Sequence, residues 1–219
     1  DICFNHIYHK YNNSFVLENV SFNVKKGEKV AFVGQIGSGK STLVKLLLGY
    51  QPISMGDITI GGVSIKEIPS EKIHEEIFYI PQKPKLFNRT LYENIVYGLK
   101  KPPTPEEILK TLYELELDDV ADIFEKKMFE SCGVTGNNLS GGQRQMVWLL
   151  RSFYRCSRII VLDEPTSSLD PENKKIMIRI IQKMSMGKTL IIVSHDSIDD
   201  SFRKIKFHQG RLVESTYFT

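Results

Sequence analysis

Cysteine is scarce in this 219-residue sequence, which has only Cys3, Cys132 and Cys156. The three are far apart, without metal-ligand spacing and without the density of a secreted disulfide framework, which points to a reducing compartment. Long apolar runs are missing too. Leu46 to Leu48 and Ile159 to Leu162 fall well short of the roughly 18 residues of a membrane-spanning helix, so no part of the chain is expected to cross a bilayer. Nor is there an excess of one charge: 29 Lys and Arg face 26 Asp and Glu, a formal net charge of +3. The basic residues form scattered doublets (Lys25-Lys26, Lys100-Lys101, Lys126-Lys127, Lys174-Lys175) rather than a stripe interleaved with aromatics, and so read as solvated faces, not a nucleic-acid interface. With no initiating Met and no cationic, apolar leader, no signal peptide is expected, and the abrupt opening at Asp1 points to a fragment of something longer. Repeats and low-complexity linkers are also lacking.

What is present is globular. Hydrophobic residues make up 41% and charged residues 25%, and the length suits one compact α/β domain, or a core carrying a smaller lobe. Phe15 to Val24 alternates like a half-buried strand, and Lys25-Lys26-Gly27-Glu28 reads as a turn, so early antiparallel pairing is expected. Lys29 to Val33 is a short apolar strand ending at Gly34, and Thr42 to Leu48 is helical up to Gly49. Ile58 to Ile60 and Ile77 to Ile80 read as further strands, the second closed by Pro81. From about Lys83 to Leu150 the pattern is helical: Thr104-Pro105-Glu106-Glu107 is a capping box, with Ile108, Leu112 and Leu115 following on one face. Ile159 to Leu162 and Leu190 to Val193 are continuous apolar runs of the kind found in central parallel strands, with a helix, Pro171 to Met184, between them. The expected fold is α/β: a core with a mostly parallel sheet, an N-terminal antiparallel β subdomain and an inserted α-helical subdomain. Residues 1–82 and 151–219 are read as the core of a single domain and 83–150 as the helical insert.

Gly34-Gln35-Ile36-Gly37-Ser38-Gly39-Lys40-Ser41-Thr42 satisfies the phosphate-loop pattern, and it stands between a strand and a helix, as the mechanism requires. Glycines let backbone N–H groups turn toward phosphate oxygens, the helix N-terminus adds partial positive charge, Lys40 reaches the terminal phosphates and Ser41 can ligate Mg²⁺. A plain glycine turn has no need of Lys-Ser-Thr directly after its last glycine. Ile159 to Leu162 leads into Asp163-Glu164 at the carboxyl edge of the sheet, where ligands bind in open α/β folds. Alternation sends the two acids in opposite directions, which suits Asp163 to the metal and Glu164 to the attacking water. Leu139-Ser140-Gly141-Gly142-Gln143-Arg144-Gln145 is a second anion site: Ser140 can cap a helix beginning near Gln143, and Gly141 and Gly142 expose N–H groups at its positive end.

That segment resembles the signature motif of ATP-binding cassette proteins, and the resemblance extends from Ile2 to Glu214. It implies several roles. Tyr11 would stack on adenine, with Tyr8 as the fallback, although a Tyr near a strand is also ordinary packing. Gln82 would touch Mg²⁺ and the attacking water while linking core to lobe. Ser167-Ser168-Leu169-Asp170 would cross between cassettes, Asp170 otherwise being a helix cap. His195 would contact the γ-phosphate, and Gly210 to Glu214 would form a closing hairpin. Leu86 to Thr90, followed by Glu93-Asn94-Ile95, resembles exporter-type cassettes fused to a transmembrane domain. Two stretches depart from the family. Val134, in Cys132-Gly133-Val134-Thr135-Gly136, stands where exporter cassettes carry an acid, for which Glu130 is the substitute, and Met146 to Leu150 is bulkier than the family's small-residue helix.

The resemblance implies an ATP- and Mg²⁺-dependent ATPase that pairs head to tail with a second cassette, as a homo- or heterodimer. It would act at the cytoplasmic face of a membrane, touching the bilayer only through a transmembrane domain fused upstream. Two rival readings differ in class. One is a soluble cassette ATPase acting on nucleic acid or ribosomes, against which stand the Gln82 to Ile95 segment and the lack of a basic stripe. The other is a regulatory module that binds without hydrolysing, against which stand Glu164 and His195.

Overall fold

The computed structural model describes residues 1–12, 14–155, 157–167, 169, 171–195, 198 and 200–216. In chain order the elements are β1 (Ile2–Tyr11), β2 (Ser14–Val24), β3 (Lys29–Val33), α1 (Lys40–Leu47), β4 (Met55–Ile60), β5 (Val63–Ser64), α2 (Ser70–Glu76), β6 (Ile77–Ile80), α3 (Leu91–Val96), α4 (Pro105–Glu114) and α5 (Asp118–Lys127). There follow α6 (Gly141–Tyr154), β7 (Ile159–Asp163), α7 (Pro171–Met184), β8 (Thr189–Ser194), β9 (Arg203–His208) and β10 (Arg211–Thr216). They cluster into two compact units, one of residues 1–79, 157–167 and 187–219, the other of residues 80–156 and 168–186.

The first unit holds an antiparallel sheet in the order β2-β1-β4-β5 and a larger sheet in the order β10-β9-β3-β8-β7-β6, with the unit boundary falling inside β6. In the larger sheet β3 pairs parallel to both β8 and β9, and β7 pairs parallel to β8, while β10 turns back antiparallel on β9. The parallel strands need cover on both faces, which explains why β8 is buried along its whole length and why β3 and β7 are apolar apart from Lys29 and Asp163 at their ends. The α/β fold expected from the sequence is therefore present, with its antiparallel N-terminal sheet, its mostly parallel core and the closing hairpin of β9 and β10.

Local chemistry sets the element ends. Glu28 closes the turn before β3, its amide donating to the Lys25 carbonyl at 3.1 Å and its carboxylate accepting from the Lys25 amide at 2.7 Å. α1 stops before Gly49, whose φ of 70° is left-handed. β1 had no clear sequence signal, because His6 takes a φ of 48° and register shifts interrupt its pairing with β2, so its alternation is broken.

The second unit is helical. α4 packs on α5, α3 on α6 and α6 on α7. Thr104 caps α4 through the expected box with Glu107, and Pro105 opens the helix. Ile108 and Leu112 are fully buried, whereas Leu115 falls at the C-cap and is only partly covered. One start is earlier than expected: α6 begins at Gly141, not near Gln143, because Ser140 caps it in a box with Gln143 as the third helical residue.

Candidate functional site

In the first unit, β3 delivers the chain to the glycine loop and α1 takes it away. Gly39, the residue before α1, has a φ of 99°, and a Cβ there would lie 2.7 Å from Leu17 Cδ2 and 2.9 Å from the Val16 carbonyl oxygen. At Gly34 a Cβ would meet the Phe207 carbonyl oxygen at 2.3 Å, so β9 fixes how the loop leaves the sheet. No side chain caps α1, which leaves the first-turn N–H groups at its positive end to an anion. Gln35, Ile36, Gly37 and Ser38 form the turn, closed by the Ser38 amide on the Gln35 carbonyl at 3.2 Å, and Ile36 projects outward, 87% exposed. Ser41 lies exposed on the first turn of α1, while Ser38 and Thr42 are buried.

Lys40 is folded back into this loop. Its ammonium donates to the carbonyls of Gly34 at 2.6 Å and Gln35 at 2.8 Å and to Ser38 Oγ at 3.2 Å. Burial lowers its pKa, opposed by the charges of Glu164 and Asp163. A buried cation and two acids therefore share one field.

Asp163 ends β7, and its carboxylate accepts a hydrogen bond from the Tyr79 hydroxyl at 3.1 Å. Burial raises the Asp163 pKa, and the Tyr79 bond and Lys40 pull it down. The same burial, with the adjacent carboxylate, holds the Tyr79 phenol well above its ordinary value. Glu164 leaves the strand with a φ of 46°, its amide bonded to the Val193 carbonyl at 2.9 Å. Asp163 and Glu164 thus meet different partners, Tyr79 and His195, on either side of this left-handed turn, a strained geometry of the kind that gathers at functional sites. Glu164 Oε1 is 3.2 Å from His195 Nδ1, just past the end of β8.

Tyr11 ends β1 in an exposed position, its hydroxyl on Gln51 Oε1 at 2.5 Å and its ring edge-on to His9 at 5.0 Å. The Tyr8 ring instead meets Phe15, centroid to centroid at 5.9 Å. Asp170, with Ser168 and Cys156, lies outside the described residues.

The second unit carries the helix start that Ser140 caps. Ser140 Oγ accepts from the Gln143 amide at 3.2 Å and Gln143 Oε1 accepts from the Ser140 amide at 3.0 Å. Gly141 and Gly142 are left at the helix start, beside a cavity of about 360 Å³ that Leu169, Asn173, Ile176 and Met177 also line. Arg144 braces this tip from behind, donating to the Leu139 carbonyl at 2.6 Å and the Gly136 carbonyl at 3.3 Å. Gln82 belongs to this unit, just beyond β6. Tyr79 and the bracing role of Arg144 escaped the sequence reading. A half-buried Tyr amid the buried residues of β6 was the one signal available for Tyr79.

The profile of the ABC transporter family matches residues 17–167. The chain belongs to that family. The ABC transporter ATM1 of Plasmodium falciparum (isolate 3D7) is 39% identical over 184 residues, 84% of this chain and 17% of that protein. The transport/processing ATP-binding protein ComA of Streptococcus pneumoniae (strain ATCC BAA-255 / R6) is 35% identical over 218 residues, 98% of this chain and 30% of that protein. A solved structure of a bacterial Atm1-family ABC exporter with ATP bound superposes with a TM-score of 0.85 at 28% identity, covering 98% of this chain and 38% of the other. The chain thus spans well under half the length of these relatives. It is an exporter-type ABC nucleotide-binding domain, of a family of transporter ATPases that use and hydrolyse ATP. Among the described residues no helix is long and apolar enough to cross a membrane.

Proposed function

We propose that this ABC domain hydrolyses ATP at the glycine loop of one cassette, completed by the Ser140 tip of a second cassette, to drive export through a transmembrane domain on the same polypeptide. The observation that carries the reading is the gathering of Lys40, Asp163, Glu164 and His195 in one unit, around an uncapped helix N-terminus.

In this reading the N–H groups of residues 34–42 and the Lys40 ammonium hold the β- and γ-phosphates. Tyr11 stacks on the base, a contact that tolerates any base and so does not select ATP over GTP. Glu164 accepts a proton from the attacking water, and His195, 3.2 Å from it, fixes the carboxylate and faces the γ-phosphate. Ser140, Gly141, Gly142 and Gln143 of the opposite cassette add helix-end donors to the transferring group. Residues 83–150 act as the helical insert that carries this tip, with Gln82 as its hinge and a contact to water and metal.

Mg²⁺ fits the donors at hand. Ser41 and Asp163 offer hard oxygen atoms, and the described residues contain no group of three or more His, Cys, Asp or Glu that would form an all-protein cage. Ser41, Asp163 and Gln82 would hold the ion, which when bound neutralises phosphate charge.

A head-to-tail pair of cassettes is two-fold and self-complementary, so ATP bridging it favours the closed state and hydrolysis releases it. The pair would lie at the cytoplasmic face of a membrane. A nucleic-acid or ribosome ATPase is not favoured, since the similarity is to a transport/processing protein and to an ABC exporter. The test is Glu164→Gln. ATP binding should persist, turnover should fall by roughly 10²–10⁴-fold, the worth of a general base, and ATP should drive dimers visible by size-exclusion chromatography. Undiminished hydrolysis would remove Glu164 from this role.

A further inference from the structure

The chain's single tryptophan, Trp148, stands on α6, the helix that begins directly after Ser140. Its indole N–H donates to the Lys85 carbonyl at 3.1 Å, three residues after Gln82. Pro84 precedes that carbonyl and has no amide of its own to offer. Further along, the backbone ties the segment to the stretch before Ser140, the Cys132 amide donating to the Arg89 carbonyl at 2.8 Å and Thr90 bridging Ser131. One turn further along α6, the Arg151 guanidinium lies 4.8 Å from the Trp148 ring and 5.7 Å from that of Tyr97.

Arg151 is buried and donates from Nε at 3.0 Å, and also from Nη2, to the Asn94 carbonyl. The Asn94 amide in turn accepts from the Phe87 amide at 2.9 Å and donates to the Phe87 carbonyl at 3.0 Å. The segment 85–90 is thus gripped by α6 at two points, at Lys85 by Trp148 and at Phe87 through Arg151 and Asn94. A third tie joins it to the loop that leads into Ser140, where the Leu86 amide meets the Thr135 carbonyl at 3.4 Å. At the start of α6, Arg144 holds the carbonyls of Gly136 and Leu139. The cost of desolvating Arg151, whose pKa burial lowers to about 10, is one that mere packing would not need to bear.

We propose that Trp148 is a positioning residue that fastens the segment following Gln82 to the helix presenting Ser140, so that the two move as one body. A small residue in its place would supply neither the donor for the Lys85 carbonyl nor the face for Arg151. The functional side of this proposal rests on the roles given above to Gln82 and Ser140; the mechanical side does not.

The test compares amide hydrogen exchange, read by mass spectrometry, in the full chain as wild type, Trp148→Phe and Trp148→Leu. Phe keeps a ring for Arg151 and removes only the donor, which guards against a variant that fails to fold. Exchange over 83–90 and over 135–140 should rise together, by roughly five- to tenfold, the factor one hydrogen bond is worth, while β3 and β8 stay protected. ATP hydrolysis by Trp148→Phe should lose kcat several-fold at unchanged KM. The proposal is overturned by unchanged exchange over 83–90, by a rise confined to 83–90, by a general rise that includes β3 and β8, or by a KM effect without a kcat effect. Hydrolysis that survives Glu164→Gln would sink the catalytic reading while leaving the exchange result standing, so the two failures are distinct.

Discussion

Asp163 lies among competing influences whose signs are clear. Burial and the neighbouring Glu164 favour its neutral form; the Tyr79 hydroxyl and Lys40 favour the carboxylate. Tyr79 also fixes direction, since a hydrogen bond to Oδ2 sets which way the carboxylate faces. Partners in this outer position typically cost 10–100-fold in metal affinity when removed. Tyr79→Phe is therefore expected to raise the Mg²⁺ concentration for half-maximal hydrolysis by about tenfold, and to weaken Mn²⁺ binding, read by electron paramagnetic resonance, in parallel. An unchanged metal requirement in both measurements would make Tyr79 a packing residue and no more.

Three helices of the second unit begin with reciprocal capping boxes: Thr90 with Glu93 on α3, Thr104 with Glu107 on α4 and Ser140 with Gln143 on α6. Each satisfies two backbone donors that would otherwise be orphaned. Thr104→Ala should cost about 1 kcal/mol and lower the thermal midpoint by roughly 2–4 °C for a domain of this size, with the ATPase rate unaffected per folded molecule. The α3 box adds a pH dependence. The Thr90 amide, followed by the Thr90 hydroxyl, holds the Glu93 carboxyl below its ordinary 4.5. A depressed carboxylate contributes stability that is complete above the unfolded value and is lost as pH falls through the folded one. Glu93→Gln should thus show its stability deficit near neutrality, and the gap should narrow on acidification below 4.5, as followed by denaturant titration at several pH values.

Across the first unit the two sheets share one core. Phe4 and Phe22 come from the antiparallel sheet and Phe32 and Phe207 from the larger one; Phe32 meets Phe4 at 6.3 Å, Phe22 at 5.5 Å and Phe207 at 5.6 Å, each edge to face. Phe32 is fully buried on the strand that feeds the glycine loop. Phe32→Ala should cost about 3–5 kcal/mol in urea unfolding, and ATP affinity should fall with it, because β3 sets the base of the loop. The glycine loop, the acids at the end of β7, the Thr104 capping box and the span of α7 could be read from sequence, because each rests on residues within a few positions of one another, where spacing and backbone geometry are enough. The pairs that complete the site are of another kind. Tyr79 reaches Asp163 across 84 positions, His195 comes beside Glu164 from the next strand over, Phe207 sets the space at Gly34, and Trp148 takes a carbonyl 63 positions away. No spacing rule reaches that far. Strand order brings the first three pairs together and becomes fixed only when the apolar faces of both sheets are buried against each other, while the last depends on how α6 packs in the helical unit.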